Sequence, residues 1–177
     1  PTVFPDADIL QENEHLGRLL ITNTLGDTDN DGDYDELYSV GGRSFSIWDL
    51  SGNLVWDSGD QFEQNLADLI PLHFNSNNDE NGSKDSRSDA KGPEPEAVTV
   101  ADVAGSTYAF IALERVGGVM IYDVSDPMAP VFVGYETSRD FSVEDVSEDV
   151  AASREMGPED MTFVPAVDSP NGKDLLI

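Results

Sequence analysis

The sequence predicts an all-β chain: a partial β-propeller of antiparallel four-stranded blades, with one short helix and long acidic loops. Three observations carry this reading. Apolar residues sit in short runs rich in β-branched and aromatic side chains, bounded by Gly, Pro, Asn and Ser. Turn signals repeat: Val40-Gly41-Gly42 returns as Val116-Gly117-Gly118, and Gly92-Pro93-Glu94 returns as Gly157-Pro158-Glu159. Each Val-Gly-Gly is followed by a strand that ends in an aromatic residue and Asp, first Trp48-Asp49 and then Tyr122-Asp123. Units of this kind, spaced near the ~40–45 residues of a propeller blade, cannot bury their faces alone and must stack.

Residues 1–16 are polar and carry Pro1 and Pro5, so they read as a lead-in. A first blade is expected over 17–59, with strands at 17–24, 36–41, 43–49 and 53–57. Ser51-Gly52 supplies the hairpin turn between the last two. An insertion, 60–95, follows. Within it Phe62, Leu66 and Leu69 fall on one helical face, Asp60 and Glu63 fit an N-cap and its third-position acid, and Pro71 supplies a stop. Residues 75–95 hold no large apolar side chain and read as a long, mobile polar loop.

A second blade is expected over 96–135, with strands at 96–103, 107–114, 118–123 and 131–135. Residues 107–114, apolar on both faces, suit a central strand. An acidic insertion, 136–158, holds a weak helical pattern at Val143, Val146 and Val150. A third blade starts over 159–177, with strands at 159–164 and 174–177. A closed propeller needs ~4–8 blades, so this chain reads as a piece of a longer one. Trp48, Trp56, Tyr122 and Phe132 read as core packing.

Charge narrows the function. The 177 residues carry 36 acids against 9 bases, a formal net charge of −27, with no Cys. Nucleic-acid binding needs clustered Lys and Arg, so it is not expected. No apolar run approaches the ~20 residues of a membrane helix, so no membrane insertion is expected in this segment, nor does Pro1 open a signal peptide. The absence of thiols and the presence of two His, His15 and His73, turn attention from zinc to hard, oxygen-loving cations.

The most specific chemistry is Asp27-Thr-Asp29-Asn-Asp31-Gly32-Asp33-Tyr-Asp35-Glu36. Ca²⁺ takes six to eight oxygens at short range. Alternate positions put Asp27, Asp29 and Asp31 inside a tight loop. Gly32 permits the sharp turn, Asp33 offers its backbone carbonyl, and Asp35 closes the set. An EF-hand would end in Glu at position 12; Tyr38 stands there, so a hairpin version is expected. Six acids in ten residues repel one another unless a cation intervenes, by up to ~4 kcal/mol per close pair at an effective dielectric near 20. Glu96 and Glu159, at equivalent strand starts, form a second candidate metal pair; Glu94, in the same proline-flanked loop, has no separate partner in the third unit. Arg43, Arg87 and Arg115 read as local carboxylate partners.

Four stretches, Gly17–Trp48, Phe74–Val100, Tyr108–Asp126 and Gly157–Leu176, resemble the secreted bacterial choice-of-anchor I family, related to YVTN and phytase-like propellers. The resemblance implies an exported protein of several hundred residues, extracellular or at the cell surface. Some members carry an alkaline phosphatase label, which the motifs here do not establish. Phytase-like propellers use channel acids to bind Ca²⁺ and phosphate, and the Gly-Pro-Glu strand starts are similar to that arrangement. The expected function is a calcium-binding structural or ligand-binding module. The expected partners are calcium, the rest of the same propeller and, in an enzymatic alternative, phosphate esters. A surface adhesin or filament component is a third reading.

Overall fold

The computed structural model describes residues 3–13, 15–143 and 157–177. Its centre is one antiparallel sheet of four strands in sequence order: β3 (Pro95–Val103), β4 (Ser106–Leu113), β5 (Val119–Asp123) and β6 (Val131–Glu136). Every strand expected between 96 and 135 forms. Ala104 and Gly105, both at positive φ, make the two-residue turn between β3 and β4, so Val103 faces Ser106. The meander follows from these short connections.

Two flanking hairpins are smaller. β1 (Ser46–Trp48) pairs with β2 (Leu54–Asp57), and β7 (Phe163–Val164) pairs with β8 (Leu175–Leu176). The four-stranded first unit expected over 17–59 is not formed. Its earlier half is an isolated bridge, Ile21 with Ser39, extended by Thr22 N–H donating to the Tyr38 carbonyl at 2.9 Å. Few large apolar residues there meet a partner: Leu20, Leu25 and Val40 are exposed. The strand expected at 159–164 shortens to Phe163–Val164. A four-residue helix, α1 (Ala7–Leu10), forms in the lead-in without burying any residue. Of the pattern at Val143, Val146 and Val150, the last two residues lie outside the described residues.

The helix expected after Asp60 is α2 (Gln61–Leu69). It buries Phe62 and Leu66 completely but leaves Leu69 exposed at its end. Asp60 makes no side-chain cap. Glu63 does not turn back to it either; its Oε1 accepts from Arg43 Nη1 at 2.8 Å and Asn75 Nδ2 at 2.7 Å. Tertiary partners therefore replace the local capping box.

One face of the sheet carries the core: Ala109, Ile111 and Leu113 of β4 and Met120 and Tyr122 of β5, closed by Phe62, Leu66 and Val116. Full burial of each large side chain contributes ~1.5–3 kcal/mol. Phe45 and Trp56 bring the first hairpin onto this face, with ring centroids 5.0 and 6.2 Å from Tyr122. Phe132 sits 5.4 Å from the same ring. Ile47 pairs with Trp56 on the core side, so strand alternation turns Trp48 outward, against the core role expected of it. On the opposite face Phe110 stacks on Phe163 at 6.3 Å. Hairpins from the preceding and following segments thus each touch one face, while Val98 and Val100 of β3 stay exposed. Among the described residues, no helix is long and apolar enough to cross a membrane.

Candidate functional site

The acidic loop hangs between the paired segments 20–22 and 38–40, as the hairpin version of the motif requires. The Gly26 carbonyl closes it by accepting the Asp35 and Glu36 amides at 2.8 and 3.1 Å. Asn30 at φ 62 and Gly32 at φ 96 turn the chain within it. Carboxylate oxygens then face inward to receive backbone amides. Asp27 Oδ1 and Oδ2 accept from Asp31 and Gly32 N–H at 3.1 and 3.2 Å. Asp35 Oδ2 accepts from Thr28 N–H at 3.0 Å and from the Thr28 hydroxyl at 2.5 Å.

Asp27, Asp29 and Asp35 each bring one oxygen to within 4.8 Å of the other two. Oxygens on opposite sides of one Ca²⁺, each at about 2.4 Å, lie about 4.8 Å apart, so this spacing fits the ion. The donors are all oxygen, as a hard cation demands. The Asp31 carboxylate is not in the group; its Oδ1 accepts the Asp33 amide at 3.0 Å. Asp33 carries the electrostatic mark of crowding: Asp31, then burial, and further on Asp35 and Asp29 push its carboxyl above the ordinary range. Asp35 moves the other way, held down chiefly by the Thr28 hydroxyl. A polar cleft of about 270 Å³ opens beside the loop, lined also by Asn23 and Thr24. Those two oxygen-bearing residues fall outside the D-x-D pattern, which is why spacing alone does not point to them.

The second candidate is rearranged more deeply. Glu96 lies in β3, and Glu159 lies in non-strand backbone four residues before β7. The acids that approach within 4.8 Å are Glu94, Glu96 and Glu114; Glu159 contributes through its field on Glu114. Burial, together with Glu94, Glu96 and Glu159, raises the Glu114 carboxyl although Arg115 opposes it. Glu94 is the centre of this cluster. Its side chain is 1% exposed, and its backbone stands at φ 51 between Pro93 and Pro95. Lys91 Nζ lies 2.6 Å from Oε2, Arg115 Nε lies 3.0 Å from Oε1, and Arg87 donates to Oε1 as well. Burial works to raise the Glu94 carboxyl, but hydrogen bonds from Lys91, Arg87 and Arg115 outweigh it and hold it at about 2. The group therefore fits a bound cation less well than the aspartate loop does, because its central charge is already matched.

Residues 75–95, expected as a mobile polar loop, instead pack as a polar core. Asn75 and Ser76 are fully buried, and Asn81, Ser83 and Asp89 nearly so. Arg139 bolts the segment from outside. Its Nε donates to Asn81 Oδ1 at 2.9 Å, Nη2 to the Asn77 carbonyl at 2.8 Å, and Nη1 to the Arg115 and Val116 carbonyls at 3.1 and 3.2 Å. The guanidinium also stands 4.7 Å over the Phe141 ring. Arg43 braces the other side, donating to the Ala90 carbonyl at 3.0 Å. Arg43, Arg87 and Arg115 thus do pair with carboxylates, as expected. Glu94 falls in the Gly-Pro-Glu repeat yet outside the candidate metal pair; its local signal is a charged residue held between two prolines.

The choice-of-anchor I domain model matches residues 1–127. Over 95% of its length the chain is 32% identical to Gigasin-3a of Magallana gigas, of which it covers 62%. Over 68% of its length it is 29% identical to the Mesenchyme-specific cell surface glycoprotein of Strongylocentrotus purpuratus, of which it covers 17%. The chain thus spans less than two thirds of each of these curated relatives. No solved structure matches. With the family model spanning well over half of the chain, this protein belongs to the choice-of-anchor I domain family.

Proposed function

We propose that the chain is an extracellular calcium-binding module within a larger propeller, and that Ca²⁺ held by Asp27, Asp29 and Asp35 pins the 20–40 hairpin. Asp31 and the Asp33 carbonyl are further donors. The observation that carries this is the approach of three carboxylate oxygens within 4.8 Å in a loop closed by its own backbone. Three mutually repelling carboxylates are costly to hold together in water, and a divalent ion converts that cost into stability. A relative named as a cell surface glycoprotein supports the location. Ring contacts from a flanking hairpin on each face of the sheet support the stacking of blades.

Calorimetric titration with Ca²⁺ tests the site. The wild-type chain should bind, the Asp27→Asn, Asp29→Asn double variant should not, and EGTA should lower the melting temperature of the wild type only. Absence of binding heat together with a melting temperature indifferent to EGTA would overturn the proposal.

A hydrolase reading has one observation in its favour, the meeting of Glu96 and Glu114 beside Arg115 and Lys91. Turnover of p-nitrophenyl phosphate that is lost in Glu96→Gln would select it; no turnover with calcium binding intact would select the module.

A further inference from the structure

The sequence holds two Asn-Gly pairs, Asn81-Gly82 and Asn171-Gly172. Asparagine before glycine is chemically labile, because glycine has no Cβ to shield its backbone nitrogen from the asparagine side chain. The structure places the two pairs in opposite settings.

Asn171 and Gly172 are exposed in the turn between β7 and β8. Asn171 Oδ1 accepts from the Lys173 N–H at 2.9 Å and from the Ser169 hydroxyl at 2.8 Å. The first bond makes an Asx-turn, which folds the side chain back over its own backbone and brings Cγ toward the Gly172 nitrogen. The two donors also stand where negative charge collects on Oδ1 when a nucleophile adds to Cγ. Gly172, at φ 68, has open space on its Cβ side. Its N–H donates to the Ser169 carbonyl at 3.2 Å, on exposed backbone where hydroxide can reach the proton.

Asn81, by contrast, is 5% exposed. Arg139 Nε donates to its Oδ1 at 2.9 Å, and its Nδ2 donates to the Asp140 carbonyl at 3.0 Å and to the Val143 carbonyl. Both ends of the amide are thus tied to a segment about sixty residues away, so the side chain is fixed there rather than folded over Gly82. Burial also keeps hydroxide from the carbonyl carbon.

We infer that Asn171-Gly172 is a self-modifying site, at which the fold assists conversion of Asn171 to aspartate and isoaspartate, while Asn81-Gly82 is held inert. The Gly172 nitrogen gives its proton to hydroxide and bonds to Asn171 Cγ. The Oδ1 anion that forms is met by the Ser169 hydroxyl and the Lys173 amide. It collapses as the Cγ–Nδ2 bond breaks, and ammonia leaves with a proton taken from water. Water then opens the succinimide at either carbonyl, which gives aspartate or isoaspartate at position 171. Either product adds one negative charge. Isoaspartate also adds a methylene to the backbone between β7 and β8, whose ladder consists of two residue pairs. The site is therefore a clock set in the hairpin that carries Phe163 onto Phe110. The inference does not depend on calcium binding.

The test ages the 177-residue chain in warm, mildly alkaline buffer. Peptide mass spectrometry follows both asparagines, and isoaspartyl methyltransferase labels isoaspartate. Position 171 should convert at least about tenfold faster than position 81, which exchanges with solvent only through local opening. It should yield isoaspartate, the mark of the succinimide route. In urea the two rates should converge. Ser169→Ala should slow conversion at 171 about tenfold by removing one donor to Oδ1, with an unchanged melting temperature. Equal rates at the two positions in the folded chain would overturn the inference. So would rates that stay apart in urea, aspartate without isoaspartate at 171, or a Ser169→Ala chain that ages as fast as the wild type.

Discussion

The tripeptide Val-Gly-Gly occurs twice and meets opposite fates. At 116–118 the valine is fully buried, and the second glycine lies against β6 so closely that an added Cβ would come within 2.7 Å of the Glu136 carbonyl and the Tyr135 ring. At 40–42 the valine is 62% exposed, and nothing lies nearer to a Cβ on Gly41 than Lys91 Cδ at 3.9 Å. The residues are the same, yet both glycines take positive φ in the second copy and only Gly41 does in the first. The surroundings differ as well: α2, Arg139 and the 75–95 segment close over the second copy, while the first stands beside a loop of repelling aspartates. The sheet region is packed by partners within the chain, while the first hairpin region leaves Leu20, Leu25 and Val40 exposed.

The largest effect should follow removal of the charge that organises the packed region. Glu94→Gln leaves Arg87, Lys91 and Arg115 facing one another without their anion, and breaking a buried pair in this way costs about 3–5 kcal/mol. Chemical denaturation should show the loss, with calcium present or absent. A small loss would mean that water serves the three cations well and that this region is less self-sufficient than its geometry implies.

Gly118→Ala should come next, at about 3 kcal/mol, from left-handed backbone strain and the clash with β6. Calcium withdrawal should cost a similar amount: at free Ca²⁺ a hundredfold above the dissociation constant, binding adds about 2.7 kcal/mol of stability. Hydrogen exchange would locate that change, with amides of 20–40 losing protection in EGTA and amides of β3–β6 keeping theirs. Uniform loss across both regions would erase the distinction between them. The smallest effect belongs to Gly41→Ala, about 1 kcal/mol, since backbone strain alone opposes it.

Acid sharpens the comparison by sign. Glu94 has a folded value of about 2 against 4.5 for the free group, so its contribution is full above pH 4.5 and is lost as pH falls toward 2. Asp33 is raised by Asp31 and its neighbours, so protonation favours the folded, cation-free loop, and that gain is lost as pH rises through its elevated value. Acidification without calcium should therefore weaken the sheet region while relaxing the hairpin. Carboxylate titrations by NMR should show the two groups moving to opposite sides of their ordinary values.

Several features were legible in the residues because local periodicity reports them. The strands of β3–β6 follow alternation and turn residues, and Phe62 and Leu66 follow helical spacing. The aspartate loop is visible as local spacing, but the carboxylates that approach one another are Asp27, Asp29 and Asp35, with Asp31, which alternate spacing put inside, left out of the group. The family membership also lay in contiguous stretches. Other features were beyond local reading. Asp60 and Glu63 have the composition of a capping box, yet Arg43 and Asn75 claim Glu63. Residues 75–95 have the composition of a mobile loop, yet Arg139, about sixty residues away, turns their carbonyls and amides into a polar core.

By itself, then, the sequence determined the strand-rich class, the meander, the helix that covers it and the aspartate-rich loop, since each rests on side chains within a few positions of one another. Only the tertiary structure decided which Val-Gly-Gly is buried, that Glu94 rather than Glu159 gathers the cations, and which Asn-Gly is locked by Arg139. These depend on charges and surfaces brought together from distant parts of the chain, where the low dielectric of a packed interior makes each pairing strong and each missing partner costly.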